Sequence, residues 1–327
     1  MRYYLFIFCF LLILLSCKVP FEYKTIEGQA QGTSFRVSYE DSFRQDLSQP
    51  IDSLFNIIDK SMSLWDSTSL ITKVNNNQDY DQLDEHFIKV FNESQKTSKL
   101  TEGYFNITVG PLVKAWGFSI KKGLPTPNNK QLDSLKALVG FSKVILNNKR
   151  ILKQEIKAQI DFNAIAQGYT VDVIAQFLEQ KAVKNYLVEI GGEVRAKGKN
   201  KEGKAWRVGI EKPDEENSLQ AVVNLDGKSL ATSGSYRKFF LKDGKRYSHA
   251  IDPHSGFPVS HNLLSVSVVA ENCMKADAFA TAFLVMGLDK AKEIAKKEDL
   301  TFYAIFDQNG KYETYSSEGF DKYLAKD

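Results

Sequence analysis

Cysteine is scarce: the 327-residue sequence contains three, Cys9, Cys17 and Cys273. The first two fall in or beside an N-terminal apolar segment, which leaves one thiol in the body of the chain. One thiol excludes an intramolecular disulfide and a cysteine-built zinc site. Cys273 itself reads as a small buried residue ahead of a helix. Charge of one sign is also lacking. The 43 Lys and Arg residues nearly balance the 40 Asp and Glu, for a net charge of +3. No basic tract stands out, so nucleic acid is not an expected partner. Bias is absent too: 43% hydrophobic residues, 25% charged, Gly 20 and Pro 8 are ordinary globular proportions, against disorder or a collagen-like chain. There is no Walker loop, GxGxxG, HExxH or GxSxG motif. The length allows one large domain or two intimate ones.

What is present begins with a leader. Met1-Arg2 is a short positive start, and Tyr3 to Leu15 is an apolar run of thirteen residues. A spanning helix needs about 20 residues, so this run suits a signal-peptide core instead. It ends in Leu14-Leu15-Ser16-Cys17, which resembles the bacterial lipobox, in which the cysteine is lipidated and becomes the new N-terminus. The bland alternative is an ordinary secretory signal with an incidental cysteine. The expected organisation is a signal peptide over 1–16, a lipidated N-terminus and tether over 17–27, and a functional domain over 28–327. One acyl chain binds a membrane only marginally, so stable anchoring at Cys17 needs more than one. The expected location is the cell envelope, on a bacterial membrane, facing the periplasm or outside.

Hydrophobic period divides the rest. Ser34 to Tyr39 alternates like a half-buried strand. Ile51, Leu54, Phe55, Ile58 and Met62 recur at helical spacing, with Ser48 and Pro50 suited to the helix start. Leu83, Phe87, Val90 and Phe91 mark a second helix towards Leu100, and Leu132, Leu135 and Leu138 a third, after a Pro-rich loop at Gly123–Pro127. A fourth begins near Ala164. Then the period becomes two: Tyr186–Ile190, Ala205–Ile210, Ala221–Leu225 and Leu263–Ala270 read as strands. Asp226-Gly227, Asp243-Gly244 and Asn309-Gly310 are hairpin-turn candidates. Helices over Met274–Met286 and Lys290–Lys297 and a final hairpin close the chain. Helices and antiparallel hairpins come in blocks, so the expected class is α+β, with mixed or antiparallel sheets and packed helices.

Four segments could carry chemistry. Gly103 to Phe118 sets flat aromatics beside glycines and a polar amide, which could stack on a planar ligand or simply form a core strand ending in a Gly-Pro turn. Asp161 precedes a helix start, where it could serve a ligand or merely cap the helix. Thr232, Ser233, Ser235 and Arg237, with His249 nearby, suit phosphate oxygens, and His249 could shuttle a proton. Asp277 and Thr281, spaced i, i+4, share one helix face and offer the hard oxygens that Mg²⁺ accepts while it keeps waters and bridges a phosphate. The bland alternative is a polar stripe with Thr281 bonded back to its own helix.

In this order the segments resemble the ApbE family of flavin transferases. The matching strings are G-x-x-N-I-T-V-G-P-L-V-x-x-W-G-F, D-F-N-A-I-A-Q-G-Y-x-V-D, Y-L-V-E-I-G-G-E-V, A-T-S-G-S-Y-R, S-H-A-I-D-P-H-S-G-x-P and A-D-A-F-A-T-A, spread from about Gly32 to Met286. The resemblance implies an ApbE-like, T-fold-like architecture and an FAD:protein FMN transferase. Such an enzyme cleaves FAD, releases AMP and attaches FMN by a phosphoester to a threonine or serine of a target protein. The partners implied are flavin-carrying subunits of membrane redox complexes. The metal implied is Mg²⁺, held by Asp277, Thr281 and the Ala164 carbonyl. FAD contacts carry over to Gln31, Trp65, Tyr104, Phe105, Asn106, Asp161, Gln167 and Ile251, with His249 and Asp277 as the catalytic residues. The chain departs from the family at Gln31, where Met is common, at Asn106, where Asp is usual, and at Gln167, where Lys or Glu would bring charge. Hydrolysis of FAD to FMN and AMP, and a flavin-binding lipoprotein without catalysis, are the competing readings.

Overall fold

A computed structural model describes residues 22–41, 46–118, 126–213, 218–236, 239–242 and 245–326. The leader, Cys17, Arg237, the Asp243-Gly244 turn and the first part of the Pro-rich loop lie outside the described residues. The elements run β1 (Glu22–Ala30), β2 (Thr33–Asp41), α1 (Ser48–Met62), α2 (Leu70–Asn75), α3 (Glu85–Leu100), α4 (Gly110–Ala115) and α5 (Asn129–Lys136). Next come β3 (Val144–Asn147), β4 (Arg150–Lys153), α6 (Ala166–Gln180), β5 (Tyr186–Ile190), β6 (Glu193–Lys197), β7 (Trp206–Glu211) and β8 (Leu219–Leu225). The chain continues through β9 (Lys228–Gly234), β10 (Phe239–Lys242), β11 (Lys245–Ser248), β12 (Leu263–Ala270), α7 (Cys273–Met286), α8 (Leu288–Lys297), β13 (Thr301–Gln308) and β14 (Lys311–Ser316). The α+β class holds.

One eight-stranded sheet organises the molecule, in the order β1-β2-β5-β6-β9-β12-β13-β14, with every neighbouring pair antiparallel. Strand alternation sends side chains to opposite faces, and here both faces are covered. From β5, Tyr186, Val188 and Ile190 pack with α1 and α6, whereas Leu187 joins the cluster of the β7–β8 hairpin on the other side. In the same way Val266 and Val268 of β12 meet α7 and α8, and Val269 turns towards the hairpin. A fourth cluster joins α3, β3 and the segment leading into α6 to Met274, Ala278 and Ala282 of α7. Helix α7 therefore lies between the sheet and the α3 layer.

Several local expectations change. Helix α1 starts at Ser48, but Leu47 holds the cap position without a side-chain bond, and Asp46 Oδ1 accepts from the Ser48 N–H at 2.9 Å. Asp226-Gly227 is not a hairpin turn, because β8 pairs with β7 while β9 belongs to the large sheet. Asn309-Gly310 does turn the β13–β14 hairpin, with both residues at positive φ. The stretch from Gly103 forms tight turns and the short α4, not a core strand.

Candidate active site

Helix α7 is buried all round, as its nearly unbroken run of apolar and small residues requires. Its polar exceptions are Lys275, Asp277 and Thr281. Asp277 is 6% exposed, and its Oδ2 accepts a hydrogen bond from the Gly168 N–H of α6 at 3.1 Å. Thr281 Oγ1 lies 3.0 Å from Ser233 Oγ on β9. The hydroxyl is thus held towards the sheet, not left to its own helix. Gly168 makes the approach of α6 to α7 possible: a Cβ there would lie 2.5 Å from the Cys273 carbonyl oxygen and 2.7 Å from Asp277 Cβ.

The electrostatics of Asp277 follow from burial. Desolvation lifts its carboxyl to about 7, opposed only by the Gly168 N–H, and no cationic side chain of the described residues offsets it. A buried carboxylate without a cation is costly, and a divalent ion would relieve that cost. Two features fit a hard cation. The Thr281 hydroxyl sits one turn along from Asp277. The Gly168 N–H, which a longer helix would give to the Ala164 carbonyl, goes to Asp277 instead and leaves that carbonyl without its intrahelical partner. Among the described residues no three His, Cys, Asp or Glu cluster into a metal cage. One carboxylate, one hydroxyl and one carbonyl suit an ion that fills its other positions with water and phosphate oxygens, as Mg²⁺ does.

The segment before α6 supplies the next group. Asp161 does not cap the helix: Ile165 occupies the cap position, and Asp161 Oδ1 accepts from the Asn163 N–H at 2.8 Å within the approach turn. Its own N–H donates to the Ile107 carbonyl at 2.7 Å, which joins this segment to the 106–110 turn. Gly110 lies beside Asp161 across this junction, a Cβ on it falling at ordinary contact distance, 3.4 Å, from Asp161 Cβ. Burial raises the Asp161 carboxyl and the Asn163 bond opposes it. Asn106 Oδ1 already accepts from the N–H and hydroxyl of Thr108, so its amide NH₂ is the group it can offer a ligand.

Elsewhere the expected ligand contacts divide by exposure. Trp65 is 69% exposed, an aromatic face open to a ring. Tyr104 is half-buried with its ring edge-on to His254 at 4.5 Å, and His254 in turn contacts the Glu102 carbonyl and Asp252. Motif reading gave His254 no role. Phe105 and Ile251 have buried side chains, so their contact with a ligand falls to the main chain. Trp116 is also no open stacking platform: it is buried, stacks on Tyr247 at 5.6 Å and donates to the Gly256 carbonyl. Gln31 takes a left-handed conformation in the β1–β2 turn and donates to Thr170, while Gln167 reaches the Gln31 carbonyl at 3.4 Å. This links Gln31 to the first turn of α6 beside Gly168. His249 is half-buried with its ring edge-on to Phe118, and the adjoining Ala250 packs in the same cluster as Ala231 of β9 and Ala276 and Ala280 of α7.

Comparisons with known proteins agree with one another. A sequence model of the ApbE family matches residues 31–306. The FAD:protein FMN transferase of Haemophilus influenzae is 36% identical over 328 residues, covering 95% of this chain and 94% of that protein. That of Escherichia coli K12 is 35% identical, covering 94% and 90%. Among solved structures, flavin transferase ApbE from Vibrio cholerae superposes with a TM-score of 0.85 at 32% identity, covering 93% of this chain and all of that one.

Proposed function

The chain belongs to the ApbE family, and from that premise we propose how its site performs the work of an FAD:protein FMN transferase. The enzyme takes FAD, transfers its FMN moiety to a threonine or serine hydroxyl of a target flavoprotein and releases AMP. Asp277, Thr281 and the Ala164 carbonyl would hold Mg²⁺, with Ser233 keeping the Thr281 hydroxyl in place. When bound, Mg²⁺ supplies charge neutralisation of the pyrophosphate and a Lewis acid for the departing phosphate. Trp65 and Tyr104 offer faces to the planar rings, and the amide of Asn106 offers donors. Gln167 contributes an amide where charge is common in the family. His249 takes the proton of the acceptor hydroxyl at an imidazole nitrogen. The hydroxyl oxygen then bonds to the FMN phosphorus as the P–O bond to AMP breaks, and AMP leaves with that electron pair.

The observation that carries this reading is the buried, cation-free carboxylate of Asp277 beside Thr281. The test combines the chain from Lys18 on with FAD, Mg²⁺ and a candidate acceptor, and reads acceptor mass and AMP together. A mass gain of one FMN with equal AMP, lost on adding EDTA, is the expected result. AMP without mass gain would replace transfer by hydrolysis, and bound FAD without AMP would leave only a flavin-binding protein. His249→Ala should slow transfer by about 10²–10⁴-fold, the usual contribution of a positioned base, and an undiminished rate would remove His249 from that role.

The same proposal places the enzyme in the cell envelope, lipid-anchored through Cys17 and facing the periplasm or outside. Flavin-carrying subunits of membrane redox complexes are its acceptors. The Tyr3–Leu15 run and the Leu-Leu-Ser-Cys ending support this placement.

A further inference from the structure

The first turn of α7 is held from outside its own helix. Asp172 of α6 accepts from the Cys273 N–H at 3.0 Å through Oδ1 and from the Met274 N–H at 2.9 Å through Oδ2. The helix's own cap, Asn272, takes the Lys275 N–H. Asp172 is 4% exposed, and its charge is met by Arg195 of β6, whose Nη1 lies 2.7 Å from Oδ1. Arg195 also lies 3.8 Å from Glu179, which bonds Lys197 and Tyr186. None of these groups contacts the acceptor or the flavin in the mechanism above.

Their geometry relates to the cation donors through helix period. Gly168 and Asp172 are one turn apart on α6, and Cys273 and Asp277 are one turn apart on α7. Gly168 donates to Asp277, while Asp172 accepts from Cys273 and Met274. The two helices are therefore bonded at two levels, with donor and acceptor roles exchanged between them. Sliding α7 along α6 by even part of a residue rise, about 1.5 Å, would lengthen both sets of bonds. That register is also the one that sets Asp277 against Gly168, one turn after Ala164 on the lead-in to α6. A buried ion pair is a poor way to gain stability alone, since an apolar pair of similar shape often does as well. It is a good way to fix a register.

We propose that Asp172, backed by Arg195, is a positioning residue that holds α7 in the register at which Asp277 and Thr281 converge with the Ala164 carbonyl on a divalent cation. This rests on the Mg²⁺ reading above. Asp172 touches no reacting atom. It acts through the α7 backbone, as outer partners of metal ligands do.

The test reads metal binding directly, with Mn²⁺ as the probe and free Mn²⁺ measured by its electron paramagnetic resonance signal, without FAD. The protein is the chain from Lys18, which keeps every described residue. The unaltered protein should bind Mn²⁺ saturably and Asp277→Ala should not; absence of binding to the unaltered protein would overturn the cation reading itself, and this proposal with it. Asp172→Asn keeps the shape but turns a donor towards an N–H. It should raise the Mn²⁺ Kd about tenfold or more, the range typical of outer-shell changes, at a temperature where circular dichroism shows it folded. A lowered Tm with an unchanged Kd would show a purely structural role and overturn the proposal while leaving the cation site intact. Should Asp172→Asn fail to fold, Arg195→Gln carries the test. A rise in Kd of roughly threefold or more supports the proposal, on the same outer-shell reasoning, and an unchanged Kd overturns it.

Discussion

One buried and one half-buried charge show how differently single residues meet the cost of lost water. Asp277 loses water and gains one N–H, and burial lifts its carboxyl to about 7. Lys153 loses water and donates to two neutral oxygens, the Asn75 carbonyl and Asn77 Oδ1, and burial lowers its ammonium to about 8 from 10.5. On the proposed function a divalent cation relieves the first; the second is held by neutral oxygens and acts on stability. Between pH 8 and 10.5 the unfolded chain holds a proton on Lys153 that the folded chain has released, so folding stability rises with pH across that window. The penalty is fully present below pH 8. Urea denaturation of the unaltered protein and Lys153→Met at pH 7.5, 9 and 10 should show the unaltered protein gaining on the variant as pH rises. Parallel pH curves would mean that Lys153 keeps its ordinary ionisation in the fold.

At the scale of elements, the close packing of α6 against α7 is what the site depends on. Gly168 permits it, and Gly168→Ala should force the helices apart. Overpacking of this kind costs about 1–3 kcal/mol, readable as a lower urea midpoint, and AMP release from FAD should fall with it. An unchanged midpoint and rate would show that the helices tolerate the methyl group without moving. The sequence pattern revealed the elements with a strong period: β5 and β12 match their expected spans to the residue, and α3, α6, α7 and α8 match theirs within two or three. It missed β9, whose Lys-Ser-Leu-Ala-Thr-Ser-Gly mixes small and polar residues with no clean alternation. It also missed β1, a polar edge strand, and α2, six residues that are too short for a helical period. The site followed the same division. Motif strings singled out Asp277, Thr281 and Asp161 as candidates, because their residue types suit ligand and metal chemistry. They gave no sign that Asp172 caps a helix 101 residues later, or that Ser233 faces Thr281, because those contacts exist only once the sheet brings distant segments together. Among the Gly103–Phe118 aromatics that could have stacked on a ligand, Trp116 is taken by Tyr247, a partner from a remote strand, for the same reason.

At the scale of the molecule, an antiparallel sheet is covered on both faces and α7 packs between it and the α3 layer; the proposed cation donors come from α7 and from the lead-in to α6, with Ser233 of the sheet backing Thr281. Relatives align along nearly the whole chain, in sequence and in structure, so the likeness covers the entire fold and not one segment. The envelope placement is tested separately: mass spectrometry of the membrane fraction should find a mature chain that begins at an acylated Cys17. An unmodified Cys17, or a start elsewhere, would contradict the anchor and leave the enzyme's chemistry untouched. The central claim is that the buried Asp277 carboxylate makes FAD reactive by holding a divalent cation. The most direct measurement is AMP release from FAD by the unaltered protein and by Asp277→Ala, side by side over a Mg²⁺ titration. Saturable release by the unaltered protein, with background release by the variant at every Mg²⁺ concentration, is the predicted result. Release by Asp277→Ala at the unaltered rate and with the same Mg²⁺ dependence would contradict the account.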